Sequence, residues 1–258
     1  MIYSSVDEIP DLNQPCGLSI GTFDGVHLGH QALLNSLREK LPPHAVMAVF
    51  TFSNHPSYYF TPDSPTKLIC SPLQKAQLLE QYGADIVILS PFNSEFAKIP
   101  YDQFLHRLKQ KLGFTYLNLG AGATFGRGRE GNEENVKRIA RELKFEVNYL
   151  PKFTLHGAPL SSGRVRALIE KGALHEVAEC LGRPYSLLGD LLSEERLYVL
   201  NTQGLAQLPE GIYPVRVRAS PGDLLGRAQI FPEEEIIRLE LLNEHVSLDK
   251  QEVEVIFS

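Results

Sequence analysis

Two histidines spaced three apart, His27 and His30, stand in the stretch LSIGTFDGVHLGHQ at residues 18–31. At that spacing both rings lie on one face once helical geometry has begun, so they can reach one ligand together. Gly21 and Gly29 allow the backbone to come close to such a ligand, and Phe23 and Asp24 sit where an apolar run gives way to a turn. An apolar strand, a glycine-containing turn and a helix in this order suit a phosphate. The first N–H groups of a helix point outward and carry partial positive charge, so a polyphosphate placed there meets backbone donors as well as imidazoles. A His-x-x-His pair is also half of a metal site, but no Cys/His pair elsewhere in the chain has spacing to complete it.

A second helix start carries similar chemistry. In LSSGRVRALIEKG, Ser161 or Ser162 is a natural N-cap, and Gly172 a natural stop. Arg164 and Arg166 are two apart, so they do not share a helix face. Arginines in a first helical turn oppose the dipole, and a bound polyphosphate would reverse that preference. The densest glycine stretch, GAGATFGRGREGN at residues 120–132, places Arg127 and Arg129 in a loop that is costly to order; it is either a binding loop or a mobile solvated one. His55 and Asn93 follow apolar runs, where each is a ligand contact or a turn residue, and Tyr58-Tyr59-Phe60 is either core or a stacking surface.

These residues need a frame that brings loop ends together. Apolar runs at 18–23, 45–52, 84–90, 116–119 and 145–150 predict strands, and the segments 31–40, 71–82, 100–112 and 134–144 predict helices between them. In helix 71–82, Leu73, Ala76 and Leu79 form the expected apolar stripe. Such βα alternation predicts an α/β domain with a parallel sheet and right-handed crossovers, whose ligands sit at the carboxyl ends of the strands. Phe23-Asp24 and Asn54-His55 would then face one crevice. Beyond residue 189 the pattern changes to short strands at 197–200, 212–219, 225–231, 236–242 and 253–257, separated by Gln203-Gly204, Pro209-Glu210-Gly211 and Pro221-Gly222. This predicts a small all-β, barrel-like domain, with domains at 1–189 and 190–258.

With 258 residues there is length for one large or two smaller domains. A net charge of -6 argues against general nucleic-acid or membrane-surface binding, so an anionic ligand must be met by local basic groups. Cys16, Cys70 and Cys180 are odd in number and far apart, as suits a reducing compartment. The first residues have no basic segment followed by an apolar one, and the expected location is the cytoplasm.

The string GTFDGVHLGH resembles the His-x-Gly-His signature of small-molecule nucleotidyltransferases, most closely that of the bacterial FAD synthetase (riboflavin kinase/FMN adenylyltransferase) family. The resemblance recurs in FTFSNHP, in PFNSEFA, in FGRGREG, in the serine-arginine segment from Ser161 to Arg166, and in LGRPY at 181–185. It implies a Rossmann-like nucleotidyltransferase domain that moves AMP from ATP to FMN, giving FAD and pyrophosphate, with magnesium accompanying ATP. It assigns His27, His30 and Arg166 to the chemistry. Gly21, Phe23, Asp24, Gly29, Ser161 and Ser162 fall to ATP, and His55, Phe60, Asn93, Phe125 and Arg127 to the flavin. Gly122 stands where the family has Asp or Asn, and Gly163 where it has Thr. The family's kinase barrel is expected in the tail, as LPEGIYPVRV at 208–217 resembles one of its strands. The kinase's nucleotide loop and its Pro-Thr pair have no counterpart here, so riboflavin phosphorylation is expected to be absent. A bifunctional enzyme with residual riboflavin kinase activity, a transferase for another phosphate acceptor, and a flavin- or nucleotide-binding module without turnover are the rival readings.

Overall fold

The computed structural model describes residues 1–194, 197–220, 222–242, 248 and 250–257; Pro221, half of one expected turn, lies outside them. The chain forms two compact units, one of Met1–Thr66 and Lys75–Pro159, the other of Lys67–Gln74 and Leu160–Ser258.

The first unit is built on six parallel strands. In chain order its elements are β1 (Ile2–Tyr3), β2 (Cys16–Ile20), α1 (Leu28–Lys40), β3 (Val46–Phe52), α2 (Ser57–Phe60) and α3 (Pro72–Gln81), which belongs here from Lys75 onward. Then follow β4 (Ile86–Ser90), α4 (Tyr101–Leu112), β5 (Tyr116–Gly120), α5 (Glu133–Leu143), β6 (Glu146–Leu150) and a small hairpin, β7 (Thr154–Leu155) with β8 (Ala158–Pro159). The sheet order is β1-β4-β3-β2-β5-β6. Its parallel register pairs Leu18 with Ala48 on one side and Leu117 on the other.

Strand alternation divides the sheet into two chemical faces. Leu18, Ile20, Phe50 and Phe52 point toward one core, where Phe104, Leu105 and Leu108 of α4 and Val136 and Ile139 of α5 pack. Residues of opposite parity include buried Ser19, Thr51 and Asn118. Ser19 Oγ donates to the Asn118 carbonyl (2.8 Å), and Asn118 Nδ2 donates to the Leu33 carbonyl on α1 (2.8 Å). This satisfies the buried polar groups and fixes α1 against β2 and β5. Cys16 is also buried, which pushes its thiol up to about 12.

Two expectations need correction here, and one strand had no counterpart in the sequence pattern. Strand β2 ends at Ile20, before Phe23, because the chain turns into left-handed backbone. The buried side of α3 is Gln74, Lys75, Ala76, Leu78 and Leu79, whereas Leu73 is exposed, so the stripe has a different phase and includes polar residues. Strand β1 was not expected, since its two residues show no periodicity and pair at the sheet edge with β4.

The second unit contains α6 (Ser162–Glu170), α7 (Leu174–Leu181) and six antiparallel strands: β9 (Ser186–Glu194), β10 (Leu197–Asn201), β11 (Gly211–Arg218), β12 (Asp223–Phe231), β13 (Ile236–Leu241) and β14 (Glu252–Phe257). They close as a barrel in the order β10-β13-β12-β11-β14-β9. The five expected tail strands are present with shifted ends; the first barrel strand, β9, was missed because its residues do not alternate cleanly. Leu191, Val217, Ala228, Ile230, Leu239 and Val255 are buried, as expected for a small barrel filled by side chains. Buried Gln74 donates to the Ser186 carbonyl (2.9 Å) and accepts from the Leu188 N–H (3.2 Å), anchoring β9. Among the described residues, no helix is long and apolar enough to cross a membrane.

Asn118→Ala removes the buried donor between β5 and α1. Loss of such a bond should lower the unfolding free energy by about 1–3 kcal/mol, read as a lower urea midpoint.

Candidate active site

The histidine pair is positioned by a strained turn. Gly21 N–H donates to the Phe50 carbonyl (3.1 Å), keeping the end of β2 beside β3. Phe23, Gly25 and Val26 then take positive φ values of 48°, 74° and 40°. A β-branched residue there is an outlier, and strain of this kind costs on the order of 1–3 kcal/mol per residue. Burial holds the turn: Phe23 and Val26 are fully enclosed, and Asp24 is 1% exposed. His27 follows at the N-cap of α1 with extended backbone, and its carbonyl accepts from the N–H groups of His30 (2.8 Å) and Gln31 (3.0 Å).

The two imidazoles stack, with ring centroids 3.7 Å apart and planes 14° apart. Phe23 leans over His30 at 5.1 Å between centroids. A Cβ on Gly29 would lie 3.1 Å from the His27 ring and 3.3 Å from Phe153 Cβ, so glycine makes room for the ring rather than for a turn. His30 Nδ1 is sealed from solvent and has no hydrogen-bond partner among the described residues. The ring titrates well below the usual imidazole range, first because of burial and then because of His27 and Lys75. Burial therefore favours the neutral form of His30, and a polyphosphate would favour the protonated one.

Lys75 was missed in the sequence, where it reads as an ordinary helix-surface lysine. It is 2% exposed, and its Nζ donates to the carbonyls of Phe52, at the end of β3, and of Thr22 (3.1 Å), just past the end of β2. Thr51 Oγ1 also donates to the Thr22 carbonyl (2.8 Å). The expected adjacency of the two strand ends is thus realised through this lysine and threonine.

The opposite face of the sheet is aromatic. Phe52, Phe92 and Phe96 contact one another at centroid distances of 5.0–5.6 Å, and Phe104 meets Phe50 at 4.9 Å and Phe125 at 5.8 Å. Tyr59 and Phe60 extend the row outward, with Phe60 64% exposed. A cavity of about 320 Å³ opens here, lined by Ser5, Phe50, Ser90, Phe96, Gln103 and Phe104 among others. Its three phenylalanine walls suit a planar heterocycle, and Ser5, Ser90, Gln103 and Arg107 add polar groups to the lining.

Other predicted flavin residues carry structural bonds. His55 Nδ1 accepts from the Ser57 N–H (3.1 Å), and Asn93 Oδ1 accepts from the N–H groups of Glu95 (3.1 Å) and Phe96 (2.9 Å), making a turn. The glycine-rich segment is ordered by backbone bonds: Arg127 N–H donates to the Ile99 carbonyl (2.8 Å) and Gly131 N–H to that of Phe125 (2.9 Å). Gly126 has φ 76°, and a Cβ there would lie 2.6 Å from the Tyr101 backbone. Gly122 has φ 80° with open space around it, a backbone conformation in which Asn and Asp are also tolerated. Arg127 pairs with Glu130 at 3.8 Å.

In the second unit, Ser161 caps α6: its Oγ accepts from the Arg164 N–H (3.3 Å). Ser162 is the first helical residue, and Val165 is buried between half-buried Arg164 and Arg166. Among the described residues, no group of three or more His, Cys, Asp or Glu is arranged to hold a metal ion.

The sequence model of FAD synthetase matches residues 9–164. The chain belongs to the FAD synthetase family. That match contains the histidine turn, the aromatic face and the glycine-rich segment, and ends at the first turn of α6. A Haemophilus influenzae protein called bifunctional riboflavin kinase/FMN adenylyltransferase is 30% identical over 221 residues, covering 82% of this chain and 72% of its own. A Listeria monocytogenes FAD synthetase is 28% identical over 203 residues, covering 77% and 82%. The same overall fold is found in a Streptococcus pneumoniae crystal structure titled a macrolide-efflux protein, with a TM-score of 0.83 over 100% of this chain and 88% of that one. At 20% identity, that likeness concerns the fold alone.

In this FAD synthetase family member, the His30 environment sets a sign for pH dependence. A folded-state pKa below the free-imidazole value of about 6.5 means stability is full above pH 6.5 and is lost as pH falls. The loss from this one proton is at most about 1.4 kcal/mol per pH unit. His30→Phe should lose less stability than the parent between pH 7 and 5, measured by urea unfolding. Separately, Gly126→Ala should cost roughly 2 kcal/mol or more, because both its φ and its closeness to Tyr101 oppose a side chain.

Proposed function

We propose that this protein is an FMN adenylyltransferase, making FAD and pyrophosphate from ATP and FMN. The observation that carries the reading is the stacked His27–His30 pair at a helix start, with an aromatic-lined cavity on the other face of the same sheet, in a chain of this family. The nucleophile is an oxygen of the FMN phosphate, already anionic, which attacks the α-phosphorus of ATP. The bond from that phosphorus to the bridging oxygen breaks, and pyrophosphate leaves. No side chain need supply a nucleophile; the protein orients two anions and offsets charge in the transition state.

His27 and His30 donate to ATP phosphate oxygens, aided by the N-terminal dipole of α1. Phe23 and Asp24 shape the turn, while Gly21 and Gly29 leave room for the phosphates and the His27 ring. Ser161, Ser162 and Arg166 keep their ATP assignment from sequence resemblance: Arg166 offsets leaving-group charge, and Gly163 leaves its backbone N–H as donor. Phe60 and Phe125 border the isoalloxazine, with Phe96 and Phe104 as further aromatic walls. Gln103 and Ser90 offer polar groups to the ring's amide edge. His55 and Asn93 shape this face through turns, and Arg127 supplies local positive charge. Magnesium would be carried by phosphate oxygens, screening the charge of ATP, as is usual for an ion that retains few protein ligands.

The functional division proposed is 1–189 for adenylyl transfer and 190–258 for the barrel, which resembles a riboflavin kinase domain without its nucleotide loop. The location proposed is the cytoplasm, consistent with three buried thiols that form no disulfide.

Reactions with ATP, magnesium and either FMN or riboflavin, separated by chromatography, test both statements. FAD should form from FMN and not from riboflavin; FAD from both would make the barrel a working kinase, and no product from FMN would refute the transferase. His30→Ala should lower kcat about a hundredfold, the usual effect of losing one charge-stabilising donor.

A further inference from the structure

Lys75 stands outside every motif considered above, yet it is among the few buried charged residues. A lysine rarely stays at 2% exposure, because taking an ammonium from water is costly unless dipoles or charges replace the lost hydration. Here two such dipoles are the carbonyls of Phe52, the last residue of β3, and of Thr22, two residues past the end of β2. Strand-end carbonyls have no further ladder partner, so a three-donor head group can satisfy both at once. The Thr22 carbonyl lies immediately before Phe23, the first left-handed residue of the histidine turn. The ammonium therefore holds the base of that turn from below.

The same charge is close enough to act on His30. The titratable groups that act on that imidazole are His27, stacked on it from the start of α1, and Lys75 from α3; Phe23 covers it with an uncharged ring. We propose that Lys75 is a positioning residue for nucleotidyl transfer, tying the carboxyl ends of β2 and β3 together and holding a buried positive charge behind the His27–His30 pair. The role rests on the adenylyltransferase reading. Its chemistry is electrostatic: an arriving triphosphate meets a fixed cation that needs no reorganisation, and the lysine itself neither gives nor takes a proton in the reaction. The carbonyl tie also fixes the height of the imidazoles relative to the strand ends, where a misplacement of an ångström is costly in rate.

The test compares Lys75→Gln, which removes the charge but retains donors, with Lys75→Arg, which retains the charge. Circular dichroism establishes folding, NMR follows the His30 ring through pH, and FAD formation gives kcat and KM. Lys75→Gln should lower kcat at least tenfold with a smaller change in KM for ATP, and raise the titration midpoint of His30. Lys75→Arg should leave that midpoint low and recover part of kcat. An unmoved His30 midpoint in folded Lys75→Gln, or a parental kcat, would overturn the role, since a lysine that only satisfies carbonyls would leave His30 unchanged. If Lys75→Gln does not fold, Lys75→Arg decides: a low midpoint with reduced kcat supports the role, and either a raised midpoint or a parental kcat refutes it. Failure of the parent protein to form FAD would instead refute the adenylyltransferase reading itself.

Discussion

Parallel pairing of β2 with both β3 and β5 imposes the constraint on which the site depends. Because the three strands run the same way, their carboxyl ends open on one edge, and every loop leaving that edge starts with carbonyl groups that the ladder no longer satisfies. At β2 and β3 those carbonyls are met by Lys75 and Thr51, so the turn toward His27 begins from a fixed point. Without that anchor, the left-handed backbone at Phe23 and Val26 would have easier conformations available.

The sheet then separates two kinds of recognition. Strand alternation sends Phe50 and Phe52 to the α4 side, where aromatic rings and a cavity accumulate, and Thr51 to the side of α1 and α3, where the imidazoles and the buried ammonium lie. A reaction joining a planar heterocyclic phosphate to a nucleotide needs both environments, apolar for the ring and cationic for the phosphates. One strand with a two-residue repeat supplies residues to each, so neither environment can be shifted without moving the other.

Much of this arrangement was legible in sequence because it rests on periodicity. The alternation of apolar strands and amphipathic helices announced the parallel sheet, and the spacing of His27 and His30 announced a shared face. The short turns of the tail announced antiparallel strands. What stayed hidden depends on tertiary partners. Lys75 is buried only because two strand ends lie against it, and no local pattern marks a lysine for that place. Strand β9 is pinned by Gln74, far away in sequence, so its own residues need not alternate. His55 and Asn93 show a second kind of hidden detail: their side chains accept from the N–H groups of Ser57, Glu95 and Phe96, turn bonds that no local pattern announces.

The glycines separate resemblance from mechanism. Gly126 is required by its φ and by the backbone of Tyr101, and Gly29 gives the ring of His27 its room, so both shape the local structure around the site. Gly122 is different. Its left-handed φ favours glycine and is one that Asn and Asp adopt more readily than other side chains, and the space around it is free. A side chain there would meet open space, so its cost is that of the backbone conformation and not of a clash.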